Sequence, residues 1–200
     1  MHSKQPRAEE ITAMLGPVQP TEIVTKRLTL RPFRESDVDD VFEYASDPDF
    51  RKYAPYIPSD YSRIDAAEYV QQRVSADWST GPTFAVEHEG KVIGAVTMRV
   101  YEDLGVEVGY GIGPAYQGQG FATEATTAAL EWAISIFGAE SIYATADALN
   151  HASIRVLEKL GLEPTEEEET SFEGRADEVK YKSLADSWMN VDRKGKQRFS

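Results

Sequence analysis

The sequence predicts one α/β domain, a mixed seven-stranded sheet with helices on its faces. Three observations predict it. The order of periodic segments reads strand, two helices, three strands, helix, strand, helix, two strands, which calls for a sheet covered by helices. A glycine-rich junction, Gln117-Gly118-Gln119-Gly120-Phe121-Ala122, joins a β-rich run to the longest helical pattern. The chain of 200 residues is long enough to bury a core without disulfides, and no linker splits it.

Residues 1–22 are polar, with a short helical pattern at Ala8–Leu15, and read as a tail or docking segment. Arg27–Phe33 alternates, with Leu28 and Leu30 on one side, and reads as the first strand. Ser36 precedes a helical spacing of Val38, Val41, Phe42 and Ala45, with Asp37 and Asp39 in its first turn. Asp47-Pro48 should end that helix. Arg51–Ser62, with Tyr53, Tyr56, Tyr61 and two prolines, reads as an aromatic loop. Arg63–Trp78 is a second helical pattern that turns Ala66, Ala67, Val70 and Val74 inward.

Thr83–His88 and Lys91–Tyr101 flank Glu89-Gly90 and form a hairpin. Asp103–Gly105 turns into a fourth strand, Val106–Ile112, where Gly109 and Gly111 share a face and suggest a bulge or a ligand against the backbone. Thr123–Phe137 is a helix with Leu130, Ala133, Ile134 and Phe137 as its stripe, and Gly138 stops it. Ser141–Asp147 is a fifth strand. Asn150 caps a helix that turns Ile154, Leu157 and Leu160 inward and stops at Gly161. Leu162–Thr170 and Glu178–Leu184 supply the last two strands, and Asp192–Ser200 is a charged tail.

Glycines between a strand and a helix let backbone N–H groups approach a ligand, and the helix N-terminus adds partial positive charge. The junction therefore suits a phosphate or diphosphate held on main-chain donors. A dinucleotide fingerprint is excluded, because Tyr116 stands where the third glycine after Gly111 and Gly113 is required. No Gly-Lys-Ser/Thr follows either, which excludes a nucleotide-triphosphate loop. Asn150 to Gly161 by itself is accounted for by a capped amphipathic helix.

The absence of cysteine excludes a disulfide framework, a thiolate metal site and a thiol nucleophile. His2, His88 and His151 are scattered without metal-ligand spacing, so no metal is expected. The formal net charge of −13 argues against nucleic acid as the main partner. An acidic surface favours a cationic substrate such as an amine, or serves solubility alone. No run reaches the ~18 apolar residues of a membrane span, and residues 1–20 lack a signal core. A cytoplasmic monomer or homodimer is the expectation.

Two motifs taken together are more specific. Gln-x-x-Gly-x-Ala at 117–122 and Asn-x-x-Ser-x-Arg…Gly at 150–161 resemble the GNAT superfamily of N-acetyltransferases. Glu107-Val108-Gly109-Tyr110 with Tyr116 through Ala125 looks like its RimJ/RimL-like branch of ribosomal-protein N-terminal acetyltransferases. The opening Thr25-Lys26-Arg27-Leu28-Thr29-Leu30-Arg31-Pro32-Phe33 is similar to that branch, as is the close from Gly174-Arg175 through Asp177 and Tyr181 to Trp188. The resemblance spans residues 23–190 and implies a mostly antiparallel sheet with a splayed central strand pair.

It also implies acetyl-CoA as cosubstrate and an amine acceptor, a peptide N-terminus or a small molecule. In the family, the turn matching Gln117, Gly118, Gln119, Gly120, Phe121, Ala122 and Thr123 gives N–H groups to the CoA diphosphate. The strand matching Tyr110 and Ile112 splays to admit the pantetheine arm, and the Asn matching Asn150 hydrogen-bonds the cofactor. With no cysteine for an acyl-enzyme, direct attack by the amine in a ternary complex is the simplest route.

Glu107 matches a Glu that serves as base, acting through a water, and its alternative is an exposed strand carboxylate. Ser153 matches the position from which relatives protonate the thiolate, and its alternative is a helix first-turn hydroxyl. A backbone N–H near Tyr110 or Gly111 could polarise the thioester carbonyl. Tyr53 and Tyr56 fall in the loop that walls the acceptor side in similar proteins, or pack the loop. A bulky aromatic commonly follows the Gly-Tyr pair in the branch, so Gly111 should widen the channel or loosen the bulge. Two other functions remain in view: a small-molecule amine acetyltransferase (polyamine, amino sugar or antibiotic) and a non-catalytic acyl-CoA-binding module.

Overall fold

Among the described residues eight strands form one sheet: β1 (Ile23–Val24), β2 (Thr29–Arg31), β3 (Thr83–His88), β4 (Lys91–Val100), β5 (Gly105–Ile112), β6 (Ser141–Asp147), β7 (Glu163–Thr165) and β8 (Glu178–Leu184). Their order in the sheet is β1-β2-β3-β4-β5-β6-β8-β7. The computed structural model describes residues 16–101, 105–166 and 178–190. Every neighbouring pair is antiparallel except β5 and β6, which run parallel. The parallel pair is joined by a helical crossover, as parallel neighbours require.

The eighth strand is β1, two residues on the sheet edge that the sequence pattern does not reveal. Its pairing with Thr29 and Leu30 supplies its only strand signal. The strand expected over Leu162–Thr170 appears as β7, with Pro164 tolerated because β7 is an edge. Residues 167–170 of that segment, the helix expected at Ala8–Leu15, the motif at Gly174–Asp177 and the charged tail lie outside the described residues.

The helices are α1 (Val38–Ala45), α2 (Pro48–Arg51), α3 (Arg63–Val74), α4 (Phe121–Phe137), α5 (His151–Leu160) and α6 (Ala185–Asn190). Asp47-Pro48 does not simply end a helix. It opens α2, with Asp47 Oδ1 accepting from the Asp49 N–H at 2.8 Å and Pro48 in the first turn. The α4 helix starts at Phe121, two residues before the expected Thr123, because Gly120 is its cap residue. The inward face of α3 carries Ala66, Tyr69 and Val70; Ala67 is exposed and Val74 is 42 % exposed. Tyr69 takes the inward place because its ring meets Phe33 edge-on at 5.7 Å.

The expected bulge in Val106–Ile112 is absent. That strand pairs with β4 in unbroken register from Val106↔Val100 to Ile112↔Gly94. The register shift lies instead between β3 and β4, at Val86/Glu87. A Cβ on Gly94 would stand 2.1 Å from the Gly111 carbonyl oxygen, so this ladder closes only over a glycine.

The larger core lies between one sheet face and α4, α5 and α6, around Phe84, Met98, Leu130, Ile142, Leu157 and Trp188. Ala125, Ala129 and Ala133 are fully buried and let α4 lie close on the sheet. The other face packs on α1 and α3 through Phe33, Val41, Ala66, Val70 and Ala95. Each large apolar side chain so buried contributes on the order of 2 kcal/mol. Arg31, 4 % exposed, fixes β2 to its surroundings by two hydrogen bonds to Asp37 and one to Glu87 at 2.6 Å. Burial alone would lower the Arg31 pKa, but those carboxylates outweigh it and hold the guanidinium charged.

Candidate active site

The glycine corner comes first. Pro114–Tyr116 forms one 3-10 turn, and the Gln117 N–H closes it on the Pro114 carbonyl at 3.2 Å. Gly118 and Gly120 follow with φ of +75° and +84°, a region that L side chains rarely adopt. Among the described residues no side chain caps α4, and its first helical bond runs from Glu124 N–H to the Gly120 carbonyl. The N–H groups of Phe121, Ala122 and Thr123 therefore have no partner within the helix. A Cβ at Gly118 would meet no described atom within 4 Å, so the outer side of the turn is open.

This corner gathers Gly118, Gln119 and Gly120 at the N-terminus of α4 beside the Phe121, Ala122 and Thr123 amides, an arrangement whose chemistry suits an anion. Gln117 differs from its neighbours. Its amide is used in the turn, and its side-chain Nε2 donates to the Ile112 carbonyl at 2.8 Å. The Phe121 side chain faces inward, 3 % exposed, under the His88 ring.

The gap beside β5 is the second feature. The Tyr101 N–H bonds the Gly105 carbonyl, and the Gly113 N–H bonds the Ile93 carbonyl. Peptide groups alternate along a strand, so those of Val108, Tyr110 and Ile112 face β6. The β5–β6 ladder ends after three pairs, at Glu107↔Tyr143. Beyond that apex the peptide groups of Tyr110 and Ile112 have no strand opposite them. The splay expected from the resemblance starts there.

The α5 helix borders the gap. Asn150 Oδ1 accepts from the Ser153 N–H at 3.0 Å and caps the helix, and among the described residues its Nδ2 has no hydrogen-bond partner. The Tyr110 hydroxyl lies 3.0 Å from both the Ser153 carbonyl and Ser153 Oγ. Burial pushes the Tyr110 hydroxyl well above its usual pKa; the bond to Ser153 offsets part of that, and Tyr181 adds to it. Tyr110 is a neutral donor at physiological pH.

Glu107 stands on the opposite sheet face, at the apex residue itself. Only 7 % of it is exposed. Its Oε2 accepts from the Tyr101 hydroxyl at 2.5 Å and lies 3.7 Å from Arg99 Nη1. Tyr101 and Arg99 were not legible as site residues; they reach Glu107 only through hairpin register. Next on this face is Gly109, where a Cβ would meet no described atom within 4 Å, with exposed Thr97 paired beside it. A buried carboxylate thus borders an open floor.

Aromatic rings wall that floor. A Cβ on Gly111 would lie 2.9 Å from Phe50 Cζ, and one on Gly113 would lie 2.9 Å from Tyr44 Cβ. Tyr44 and Phe50 meet edge-on at 5.0 Å. Gly111 therefore does not widen the channel, because Phe50 fills the place an aromatic at 111 would take. The Tyr53 hydroxyl donates to the Leu149 carbonyl at 3.1 Å and spans from the α2 loop to the start of α5. Tyr56 is 82 % exposed and forms no part of this wall in the structure. Among the described residues no group of three or more His, Asp or Glu could hold a metal, and no helix is long and apolar enough to cross a membrane.

A family model described as "Acetyltransferase (GNAT) domain" matches residues 27–163. The chain is 30 % identical over 140 residues to the uncharacterized N-acetyltransferase YnaD of Bacillus subtilis (strain 168), covering 70 % of this chain and 81 % of YnaD. It matches the crystal structure of a GNAT-family acetyltransferase from Bacillus anthracis with a TM-score of 0.70 and 28 % identity, over 82 % of this chain and 98 % of that one. The microcin C7 self-immunity acetyltransferase MccE, solved with acetyl-CoA and AMP, shares the fold at a TM-score of 0.67 and 15 % identity, over 84 % of this chain and 98 % of that one.

Proposed function

The chain belongs to the GNAT acetyltransferase family and is an acetyltransferase, and from that premise we propose that it moves an acetyl group from acetyl-CoA to the α-amine of a protein or peptide, in the manner of the RimJ/RimL-like branch. The observation that carries the chemistry is the apex of the β5–β6 gap. There the ladder stops at Glu107, and the gap leads to the uncapped N-terminus of α4.

The N–H groups from Gly118 to Thr123 hold the diphosphate, and the pantetheine arm lies along the Tyr110 and Ile112 peptide groups with the Asn150 amide beside it. The acceptor amine enters over Gly109, between Thr97 and the Phe50 ring, with Tyr53 at the rim. Tyr56 stands further out, where a longer peptide would reach it. Glu107 takes a proton from the ammonium group through a water. The neutral nitrogen attacks the thioester carbonyl, whose oxygen is met by the Tyr110 N–H. The C–N bond forms, the C–S bond breaks, and the sulfur leaves with its electron pair. A CoA thiol has a pKa near ~8.5, so a weak donor suffices. Ser153 Oγ gives its proton to the departing sulfur and regains one through solvent from the second proton that the attacking nitrogen sheds in becoming an amide, while Tyr110 keeps its own proton and holds Ser153 in place.

The α-amine reading rests on the wording of residues 25–33 and 107–125 and on a net charge of −13, which favours cationic acceptors. A thiol-release assay with acetyl-CoA tests it on peptides with free N-termini, polyamines and amino sugars. Turnover of the peptides is expected, and it should vanish when their N-termini are blocked. Turnover of small amines alone overturns the acceptor class. Tight CoA binding with no thiol release from any amine overturns catalysis.

A further inference from the structure

The opening motif Thr25–Phe33 has no part in the mechanism above, yet its Arg27 reaches the glycine corner. Glu124, in the first turn of α4, is 4 % exposed, a carboxylate buried beside the place where a diphosphate would bind. Left bare, it would repel that anion and cancel the helix-terminal charge. It is not bare. Glu124 Oε1 accepts from Thr25 Oγ1 at 2.7 Å and from the Arg27 N–H at 3.0 Å. Its Oε2 accepts from Arg27 Nε at 2.7 Å and lies 2.6 Å from Nη2.

The remaining Arg27 nitrogen, Nη1, donates to the Gln119 carbonyl at 2.9 Å, and the guanidinium lies 4.4 Å over the Phe121 ring. This last bond sets a direction. In a trans peptide the C=O and the following N–H point opposite ways. Drawing the Gln119 oxygen onto Arg27 therefore turns the Gly120 N–H away from Arg27, toward the open side of the turn. Gly120 allows this at its left-handed φ, and a Cβ there would lie 3.5 Å from Arg27 Nη2.

We propose that Arg27 and Glu124 are a positioning pair for donor binding: together they neutralise the buried carboxylate and aim the amides of residues 120–123 at the diphosphate of acetyl-CoA. This rests on the acetyl-CoA reading above. Lys at position 27 keeps the charge but cannot bond Glu124 and Gln119 together. Gln at position 124 keeps the shape and removes the charge.

Arg27→Lys and Glu124→Gln are compared with wild type for binding of CoA, dephospho-CoA and S-acetylpantetheine, with donor KM, kcat and thermal midpoint recorded. Arg27→Lys, which loses the joint hold on Glu124 and the Gln119 carbonyl, is expected to raise the CoA Kd and donor KM about tenfold while kcat falls less than threefold; Glu124→Gln, which removes the repelling charge and keeps an oxygen for Arg27, is expected to change both less than threefold. The same Arg27→Lys loss is expected with dephospho-CoA, which keeps the diphosphate, and none with S-acetylpantetheine, which lacks it. A lower thermal midpoint of Arg27→Lys with unchanged CoA affinity overturns the proposal and makes the pair a structural brace alone. Equal losses for S-acetylpantetheine and CoA also overturn it. Should either variant fail to fold, amide hydrogen exchange at residues 119–123 of the wild type decides: protection on adding CoA but not S-acetylpantetheine supports the proposal, and equal protection overturns it. Wild type that binds no CoA overturns the acetyl-transfer reading itself, and the positioning role with it.

Discussion

Phe50 occupies the volume that a side chain at Gly111 would need, with its Cζ 2.9 Å from where a Cβ at 111 would stand. The aromatic on this side of β5 is thus supplied by α2, and the strand residue is reduced to make room. Gly111→Phe alone should destabilise by about 1–3 kcal/mol, because the ring at 50 must move aside. Phe50→Ala in the same chain should restore most of that loss, giving a coupling of about 1 kcal/mol or more in urea unfolding. Additive losses would show that the two positions do not share one volume.

Glu107→Gln should cut turnover by about 10²-fold or more, the usual contribution of a positioned base. Binding of acetyl-CoA should persist, since Glu107 lies at the apex and not at the glycine corner. Single-turnover kinetics together with donor titration check both halves. Unchanged turnover would remove Glu107 from the mechanism.

Ser153→Ala should slow the step that releases CoA by about 10²-fold, the low end for loss of a positioned acid. Tyr110→Phe should have a smaller effect on the same step, since it removes the partner of the acid and not the acid. The rate with a thioester of a more acidic thiol separates them from a packing defect: a leaving group that needs no proton should rescue Ser153→Ala.

Asp37→Ala should cost about 3 kcal/mol, because it leaves Arg31 buried with Glu87 as its remaining carboxylate. The loss should appear in the urea midpoint with donor affinity unchanged, since this network joins β2 to α1 and not to the corner.

Stability should fall between about pH 10 and 12. Burial pushes the Tyr61 hydroxyl up to about 12, with Tyr69 and Asp65 adding to the shift. Burial also raises Tyr44 and Tyr69. The unfolded chain releases these protons near ~10. In that window the native state binds more protons than the unfolded one, so the slope of stability against pH is negative. The Tyr61 contribution is whole below ~10 and gone above about 12. Guanidinium unfolding across this range should show a shallower loss for Tyr61→Phe.

The sequence by itself determined the features that depend on a few adjacent residues. The glycine corner, the caps at Asn150, Gly138 and Gly161, the hairpin at Glu89-Gly90 and the long helix were legible because turn and capping preferences act over one or two turns of chain. Only the tertiary structure decided where the β5–β6 ladder stops, which ring fills the space at Gly111, which hydroxyl holds Glu107, and that Arg27 secures a turn 92 residues away. Those contacts join segments with no local preference for one another. Their geometry is fixed by sheet order and by the packing of α1, α2 and α4, so no window of sequence contains it.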